Sequence, residues 1–261
     1  MRPLAFFYEG KPRFLDPLVQ VVSLVKAPVF VYGVPRAPSL EALRAMEALG
    51  VLGAAFEGPG LSVFPLGSNS VVNVAPSGLT PSGSNLVAPA RSGLEGVVVD
   101  AEGQAAGVLD LVYPVRGVLR GQFAFGVALD RLLSAHAGAR ALWVGQLLFP
   151  MAPFLRALGE VSVYAPSYAE GEAFLARLPG RVRGQVVLRP EEAQAFALRV
   201  DLLIYGGGVF PLSLVQPFHL LLAFAEPGER VRGLVGQTVG EELPFLWAQA
   251  VLEALGFGGG R

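Results

Sequence analysis

The order of apolar and polar residues along the chain alternates between two periods. Compact apolar runs, of the kind that form buried strands, lie at residues 4–8, 29–32, 141–144, 161–164, 185–188, 201–205 and 220–224, with a shorter run at 234–235. Apolar residues at helical spacing lie between and after these runs, at residues 16–24, 40–49, 123–135, 149–158, 190–196 and 244–255. Strands that alternate with helices in this way predict an α/β protein with largely parallel strands.

The stretch 139–178 predicts the opening βαβ unit of a doubly wound sheet. An apolar strand at 141–144 is closed by Gly145, and helical spacing follows from Phe149 to Leu158. A dinucleotide-binding turn normally reads GxGxxG, so that the backbone can approach the pyrophosphate and direct the N–H groups of a helix toward it. Here Gly145 is followed by Gln, Leu, Leu, Phe and Pro150. We therefore expect the fold of a dinucleotide-binding domain without the residues that bind the cofactor.

Residues 51–90 have a different character, with short apolar pieces among Gly, Pro, Ser and Asn. Residues 70–76 are the most strand-like piece, and they lead into a stretch rich in hydroxyl and amide groups at 77–85. Such groups either line a pocket for a neutral polyol or form an ordinary surface loop. Beyond this region, the runs 96–100 and 105–112 flank the turn-like residues 101–104, which predicts a β-hairpin.

Two capped helices and the last helix complete the prediction. We expect Asp16 to cap the helix that follows it and Ser39 to cap the next, which Gly50 ends. In the last helix Gln249 lies beside an apolar face formed by residues 245, 248, 252 and 255. If it is buried, this amide bonds either a ligand or neighbouring protein groups.

Composition narrows the classes of function. The 261 residues carry a net charge of -1 and two lysines, which argues against nucleic acid and anionic membranes as partners. The absence of cysteine excludes thiol chemistry and disulfides. The two histidines, His136 and His219, lie on separate predicted elements, so we expect no metal site.

The chain is apolar overall, with 52% hydrophobic residues and a mean hydropathy of +0.52. Its two long uncharged stretches, 58–90 and 202–225, are both interrupted by Gly, Pro and polar residues and do not predict a membrane span. The second is typical of two buried parallel strands. The start of the chain has no apolar segment of signal-peptide length, so a cytoplasmic location is expected.

Three motifs in order resemble the shikimate dehydrogenase family. Residues 72–76 (VNVAP) are similar to that family's VNVTxP strand, residues 96–110 to its following hairpin, and residues 243–249 (LPFLWAQ) to its terminal motif. The resemblance covers most of the chain. It implies an N-terminal α/β substrate-type domain (1–122, joined by a C-terminal helix at 241–261) and a doubly wound, Rossmann-like parallel-sheet domain (123–240).

The resemblance carries some functional residues over and loses others. It places Asn73 and Gln249 at the substrate, Gly145 at the cofactor, and Asp110 as the catalytic aspartate, which is otherwise an ordinary exposed strand-end carboxylate. The family's catalytic lysine has no counterpart after Pro76, and its NADP-binding Asn-Arg-Ser/Thr corresponds to residues 165–167, Ala-Pro-Ser. The serines that hold the substrate's carboxylate in the family correspond to Phe14 and Asp16, and an aspartate there would repel a carboxylate.

These matches and losses favour a shikimate dehydrogenase-like protein without NADP-dependent activity, which uses no cofactor and binds a small polar ligand in the interdomain cleft. One alternative is an active NADP oxidoreductase of the shikimate/quinate type, in aromatic amino-acid biosynthesis. Another is a structural or protein-interaction module, for which an exposed apolar turn at residues 147–149 would be the contact surface. A small polar molecule and a second copy of the chain remain open as partners.

Overall fold

The computed structural model describes residues 1–36, 40–46, 48–57 and 97–258, with only the backbone described at residue 40. The chain forms two compact units, Met1–Ala124 with Val251–Arg261, and Phe125–Ala250. The chain passes from the first unit to the second after Ala124, two residues later than the boundary expected from the sequence. It returns to the first unit after Ala250, ten residues later than expected and inside the last helix.

Within the described residues, the first unit contains a six-stranded sheet with the strand order β2-β1-β3-β5-β6-β4. Its strands are β1 (Arg2–Tyr8), β2 (Val29–Val34), β3 (Gly53–Glu57), β4 (Val97–Val99), β5 (Leu111–Val115) and β6 (Val118–Gln122). Its helices are α1 (Leu15–Leu24), α2 (Leu40–Ala45) and α3 (Ala101–Ala106). Helix α4 (Ala124–Ser134) begins at the last residue of the first unit's long segment and continues into the second unit. All strands point the same way except β5, which is antiparallel to β3 and β6. Helices α1, α3 and α4, which follow β1, β4 and β6, therefore start at one edge of the sheet, called the carboxyl edge below.

The hairpin expected around residues 101–104 is wrong, because those residues begin a helix. The side chain of Asp100 accepts a hydrogen bond from the N–H of Gly103 at 2.7 Å, which caps α3, and Gly107 ends that helix in the left-handed conformation. The hairpin of this region is β5–β6, whose turn residues Arg116 and Gly117 both have positive φ angles. Asp16 also differs from expectation, since it lies in the first turn of α1 while Phe14 occupies the N-cap position without a side-chain bond.

The second unit contains a six-stranded, wholly parallel sheet with the order β12-β11-β10-β7-β8-β9. Its strands are β7 (Arg140–Val144), β8 (Glu160–Tyr164), β9 (Arg183–Val187), β10 (Leu202–Tyr205), β11 (Leu220–Ala223) and β12 (Gln237–Val239). Its helices are α5 (Tyr168–Leu175), α6 (Pro190–Ala197), α7 (Glu229–Arg232) and the start of α8 (Leu243–Ala254). This strand order is that of a doubly wound, dinucleotide-binding sheet, with its topological switch point between β7 and β10. The predicted fold class is confirmed.

Two elements of this unit depart from the sequence prediction. The helix expected from Phe149 to Leu158 is a short 3-10 helix, Phe149–Phe154, because Pro153 lies inside it and lacks the N–H group that would bond to the carbonyl of Phe149 in an α-helix. The last strand is β12, at residues 237–239, whereas the more apolar residues 234–235 form the turn that follows α7. Strands β10 and β11 are buried parallel neighbours, as the uncharged stretch predicted. Among the described helices, none is long and apolar enough to cross a bilayer.

Candidate functional site

The turn after β7 occupies the position where a doubly wound sheet binds a dinucleotide. Gly145 adopts a φ of +84°, and a Cβ atom there would lie 2.1 Å from the carbonyl oxygen of Gly207. The N–H of Gln146 donates to that same oxygen at 3.0 Å, and a Cβ on Gly206 would lie 1.9 Å from the oxygen of Gln146. The loops after β7 and β10 therefore touch backbone to backbone across the switch point.

Trp143, in β7, is hydrogen-bonded to this turn. Its indole N–H donates to the carbonyl oxygen of Gln146 at 2.9 Å, and its ring is fully buried. The ring packs against Phe174, with centroids 4.8 Å apart, and stacks on Phe224 at 5.6 Å. The turn is thus anchored to an aromatic cluster in the core, which fixes its backbone conformation.

The residues that replace the glycine motif are mostly packed inside the unit. Leu148 is buried, as is Met151, and Phe149 packs edge-on against Phe174 with centroids 5.7 Å apart. The hypothesis that residues 147–149 form an exposed contact surface therefore fails at Leu148, while Leu147 and Phe149 are half-buried. Leu148 and Met151 belong to the core, and Phe149 packs against it.

Several backbone positions of the turn offer no donor to a pyrophosphate. The N–H of Gln146 is bonded to Gly207, the N–H of Met151 is bonded to the carbonyl of Leu148 at 2.9 Å, and Pro150 has no N–H. The 3-10 helix that follows spans only Phe149–Phe154, so it sums fewer peptide dipoles than the longer α-helix whose start normally attracts phosphate. Gly145 therefore keeps the conformation of such a turn, while Gln146, Pro150 and Met151 supply no donor to a ligand.

The five residues directly after β8 carry no positive charge of the kind that binds a 2′-phosphate. Pro166 is exposed, and Ser167 caps α5 by accepting a hydrogen bond from the N–H of Glu170 at 3.3 Å. The next charged residues along the chain are Glu170 and Glu172, whose carboxylates would repel a phosphate. The positions that follow β8 therefore supply negative rather than positive charge.

Asp110, the predicted catalytic aspartate, is fully buried, so the alternative of an exposed strand-end carboxylate is wrong. One of its oxygens accepts a hydrogen bond from the N–H of Ala124 at 2.6 Å, at the start of α4. The residue's own N–H donates to the carbonyl of Gln122 at 3.1 Å. This arrangement stabilises the junction of β6 with α4, and its catalytic role stays a prediction.

Two other carboxylates on the carboxyl edge were not singled out from the sequence. Both oxygens of Glu57 accept from the N–H of Arg13 at 2.9 Å, and one also accepts from the N–H of Phe14 at 3.0 Å. Burial raises the pKa of Glu57, against the opposing effect of these hydrogen bonds. Burial likewise raises the pKa of Asp100 to about 6, with the neighbouring Glu102 contributing in the same direction. The sequence could have indicated the role of Asp100, because an aspartate seven residues before Gly107 matches the two ends of a short capped helix. Glu57 and Arg13 are 44 residues apart, so no local pattern relates them.

The remaining predicted site residues are placed as follows. Asn73 and the VNVAP motif lie outside the described residues. Gln249 is exposed on α8, so its amide can reach solvent or a ligand without needing a buried partner. His219 is buried, with Nδ1 accepting from the N–H of Gln216 and Nε2 bonded to the carbonyl of Ala197 at 2.8 Å, and burial lowers its pKa. Within the described part of the chain, no cluster of His, Asp or Glu could hold a metal ion.

Comparisons with known proteins identify the fold from structure alone, since no family model and no curated protein sequence matches the chain. A shikimate dehydrogenase from Aquifex aeolicus superposes with a TM-score of 0.66 at 12% identity, covering 100% of this chain and 94% of that one. A quinate dehydrogenase from Corynebacterium glutamicum in complex with NAD superposes with a TM-score of 0.66 at 13% identity, covering 97% and 93%. The chain has the shikimate dehydrogenase fold.

The same fold also serves a different substrate class. A 5-ketofructose reductase from a Gluconobacter species superposes with a TM-score of 0.66 at 10% identity, covering 97% of this chain and 92% of that one. At 10–13% identity a shared fold does not identify the reaction, because the reaction depends on the residues of the site.

Proposed function

We propose that this chain is a shikimate dehydrogenase-like protein that has lost NADP-dependent hydride transfer and binds a small polar ligand through its first unit. The observation that carries the proposal is the turn at residues 145–151. A dinucleotide there would need free backbone donors and an α-helix start, and the turn offers a bonded Gln146, a proline and a 3-10 helix.

Two independent features support the same conclusion. The chain has no lysine after Lys26, so the proton-transfer lysine that the resemblance implies has no counterpart. The end of β8 carries Pro166 where that resemblance would place an arginine for the 2′-phosphate. Three separate departures from the residues that the resemblance implies are explained most simply by loss of the reaction.

The alternative is a working oxidoreductase, which the NAD complex of the quinate dehydrogenase with this fold keeps open. Calorimetric titration of the wild-type chain with NADP and with NAD separates the two, and a shikimate dehydrogenase serves as the positive control. We expect no saturable binding up to millimolar cofactor, and no reduction of NADP in the presence of shikimate or quinate. Micromolar binding of either cofactor would refute the proposal.

A further inference from the structure

Strand β2 forms one edge of the first unit's sheet, and among the described residues no strand pairs with its outer side, called the β2 edge below. The strand has six residues, with no charge, no proline and no break in its register with β1. Edges of this kind pair with other chains unless they are short, charged or interrupted. The other described edges have such protection, since β4 and β12 have three residues each, while β9 begins with Arg183 and pairs with β8 in an irregular register.

The backbone of β2 directs hydrogen-bonding groups outward at two accessible residues. The N–H of Arg2, in β1, donates to the carbonyl oxygen of Pro28 at 2.8 Å, and Arg2 pairs with Val29. Because successive residues of a strand point their N–H and C=O groups to opposite sides, every second residue from Pro28 bonds to β1, and the residues between them face the β2 edge. Of these, Val29 is buried, Val31 is half-buried and Gly33 is exposed. The edge therefore offers the N–H and C=O groups of Val31 and Gly33 to a further strand.

Val31 and Gly33 also complement each other in shape. They lie on the same face of the strand, where Val31 presents an isopropyl group and Gly33 has no side chain. When two copies of β2 lie antiparallel with Val31 opposite Gly33, both pairs exchange their backbone hydrogen bonds, and each valine lies over the glycine of the other copy. A two-fold axis generates both pairs at once, so the β2 edge is complementary to itself.

The same pairing brings aromatic side chains together on the other face of the strand. Tyr32 lies between Val31 and Gly33, so it meets Tyr32 of the second copy at the axis, in a non-hydrogen-bonded pair with Cα atoms about 4.5 Å apart. Within one copy, the rings of Phe30 and Tyr32 have centroids 5.8 Å apart, and Phe30 is 50% exposed. Aromatic side chains that meet across antiparallel strands stabilise the pairing, and here a second copy would cover an exposed phenylalanine.

An apolar groove extends this surface beyond the strand. It has a volume of about 410 Å³ and lies between α1 and β2, with Val19, Phe30, Val31 and the charged Lys26 in its lining. Val19 is 46% exposed, although it is apolar. Stable interfaces take about 800 Å² from each partner. A six-residue strand edge with this groove supplies the low end of that area, so we expect a dissociation constant in the micromolar range.

We propose that the β2 edge is the interface of a symmetric dimer, in which antiparallel pairing of two β2 strands joins the sheets of the two first units. A second copy of the chain fits this edge because the valine, the glycine and the tyrosine each meet their complement under one two-fold axis. The inference goes beyond the proposed function and does not rest on it, since β2 and α1 lie wholly within the first unit and no cofactor is involved.

Sedimentation equilibrium of the full chain tests for this dimer. We expect twice the mass of 27.4 kDa at about 100 μM chain and the single mass at about 1 μM. Val31→Lys fills the space over Gly33 and brings two ammonium groups within about 7 Å, so it should raise the dissociation constant at least about tenfold. Val98→Lys is the matched control, because Val98 is 56% exposed on the other edge strand, β4, and it should leave the constant unchanged. A wild type that stays a single chain at about 100 μM overturns the inference, and so does a dimer that Val31→Lys weakens no more than Val98→Lys does.

Single-cysteine variants test the register, because the chain contains no cysteine of its own. Tyr32→Cys places two thiols across the axis at a Cα separation that a disulfide accepts, whereas the thiols of Phe30→Cys lie about 13 Å apart along the paired strands. Under mild oxidation we expect Tyr32→Cys to form a covalent dimer at least about tenfold faster, although Phe30 is the more exposed position. Equal rates, or a faster reaction of Phe30→Cys, would overturn the inference. If Val31→Lys does not fold, this comparison decides.

Discussion

Replacing Gly145 with alanine tests whether the turn after β7 is closed against the loop after β10. A Cβ at this position would lie 2.1 Å from the carbonyl oxygen of Gly207, a backbone atom that cannot rotate away. Gly138 provides a matched control in the same unit. Its φ of +82° nearly equals the +84° of Gly145, and a Cβ added there would meet no atom beyond its chain neighbours within 4 Å.

The two substitutions share one cost and differ in another. Placing alanine in the left-handed region costs about 1–2 kcal/mol at either site. At Gly145 the carbonyl of Gly207 must also move, which breaks its hydrogen bond with Gln146 at a net cost of about 1 kcal/mol and displaces packed backbone at a cost of about 1 kcal/mol or more. We therefore expect losses of about 1–2 kcal/mol for Gly138→Ala and about 3–4 kcal/mol for Gly145→Ala.

Urea unfolding followed by tryptophan fluorescence measures both losses. Trp143 reports on the turn directly, since its indole N–H is bonded to Gln146, and a Trp247→Phe background removes the other tryptophan. Only Gly145→Ala should also shift the emission of the folded state. Equal losses for the two variants, with unchanged emission, would refute the close backbone contact between Gly145 and Gly207.

Two further predictions concern the aspartates of the carboxyl edge. Because the pKa of Asp100 is about 6 in the folded chain, above the ordinary value of 3.8, the folded state binds the proton more tightly, and stability falls as pH rises from about 4 to 6. Asp100→Asn keeps the cap on α3 and removes this effect of pH. After allowing for solvent screening at a half-buried site, we expect its free energy of unfolding in urea at pH 8 to exceed that of the wild type by about 1 kcal/mol. A lower free energy of unfolding than the wild type would contradict the burial argument. Asp110→Ala should lower the free energy of unfolding by about 2–3 kcal/mol, because it leaves the buried N–H of Ala124 without this acceptor. Asp110→Asn retains an acceptor and should lower it clearly less. Equal losses in the two variants would rule out this hydrogen bond as the reason for the burial of Asp110.

Local sequence features predicted much of the fold. The apolar runs at residues 202–205 and 220–223 are buried parallel strands because both of their faces are covered, and such strands have few polar positions. The predicted sheet class and the resemblance to the shikimate dehydrogenase fold follow from the order of such elements. Errors arose where two local signals competed, as at residues 149–158, where Pro153 outweighed the helical spacing of the apolar residues.

The candidate site depended much more on tertiary structure. The sequence by itself showed that the glycine motif and the catalytic lysine are absent, because the absence of a residue type can be read directly from the chain. It could not show that Gly145 touches Gly207, which is 62 positions away, or that Glu57 binds the N–H groups before α1. Those contacts form only when parallel strands bring distant loops to one edge of a sheet, so they were decided by the packing of the folded chain.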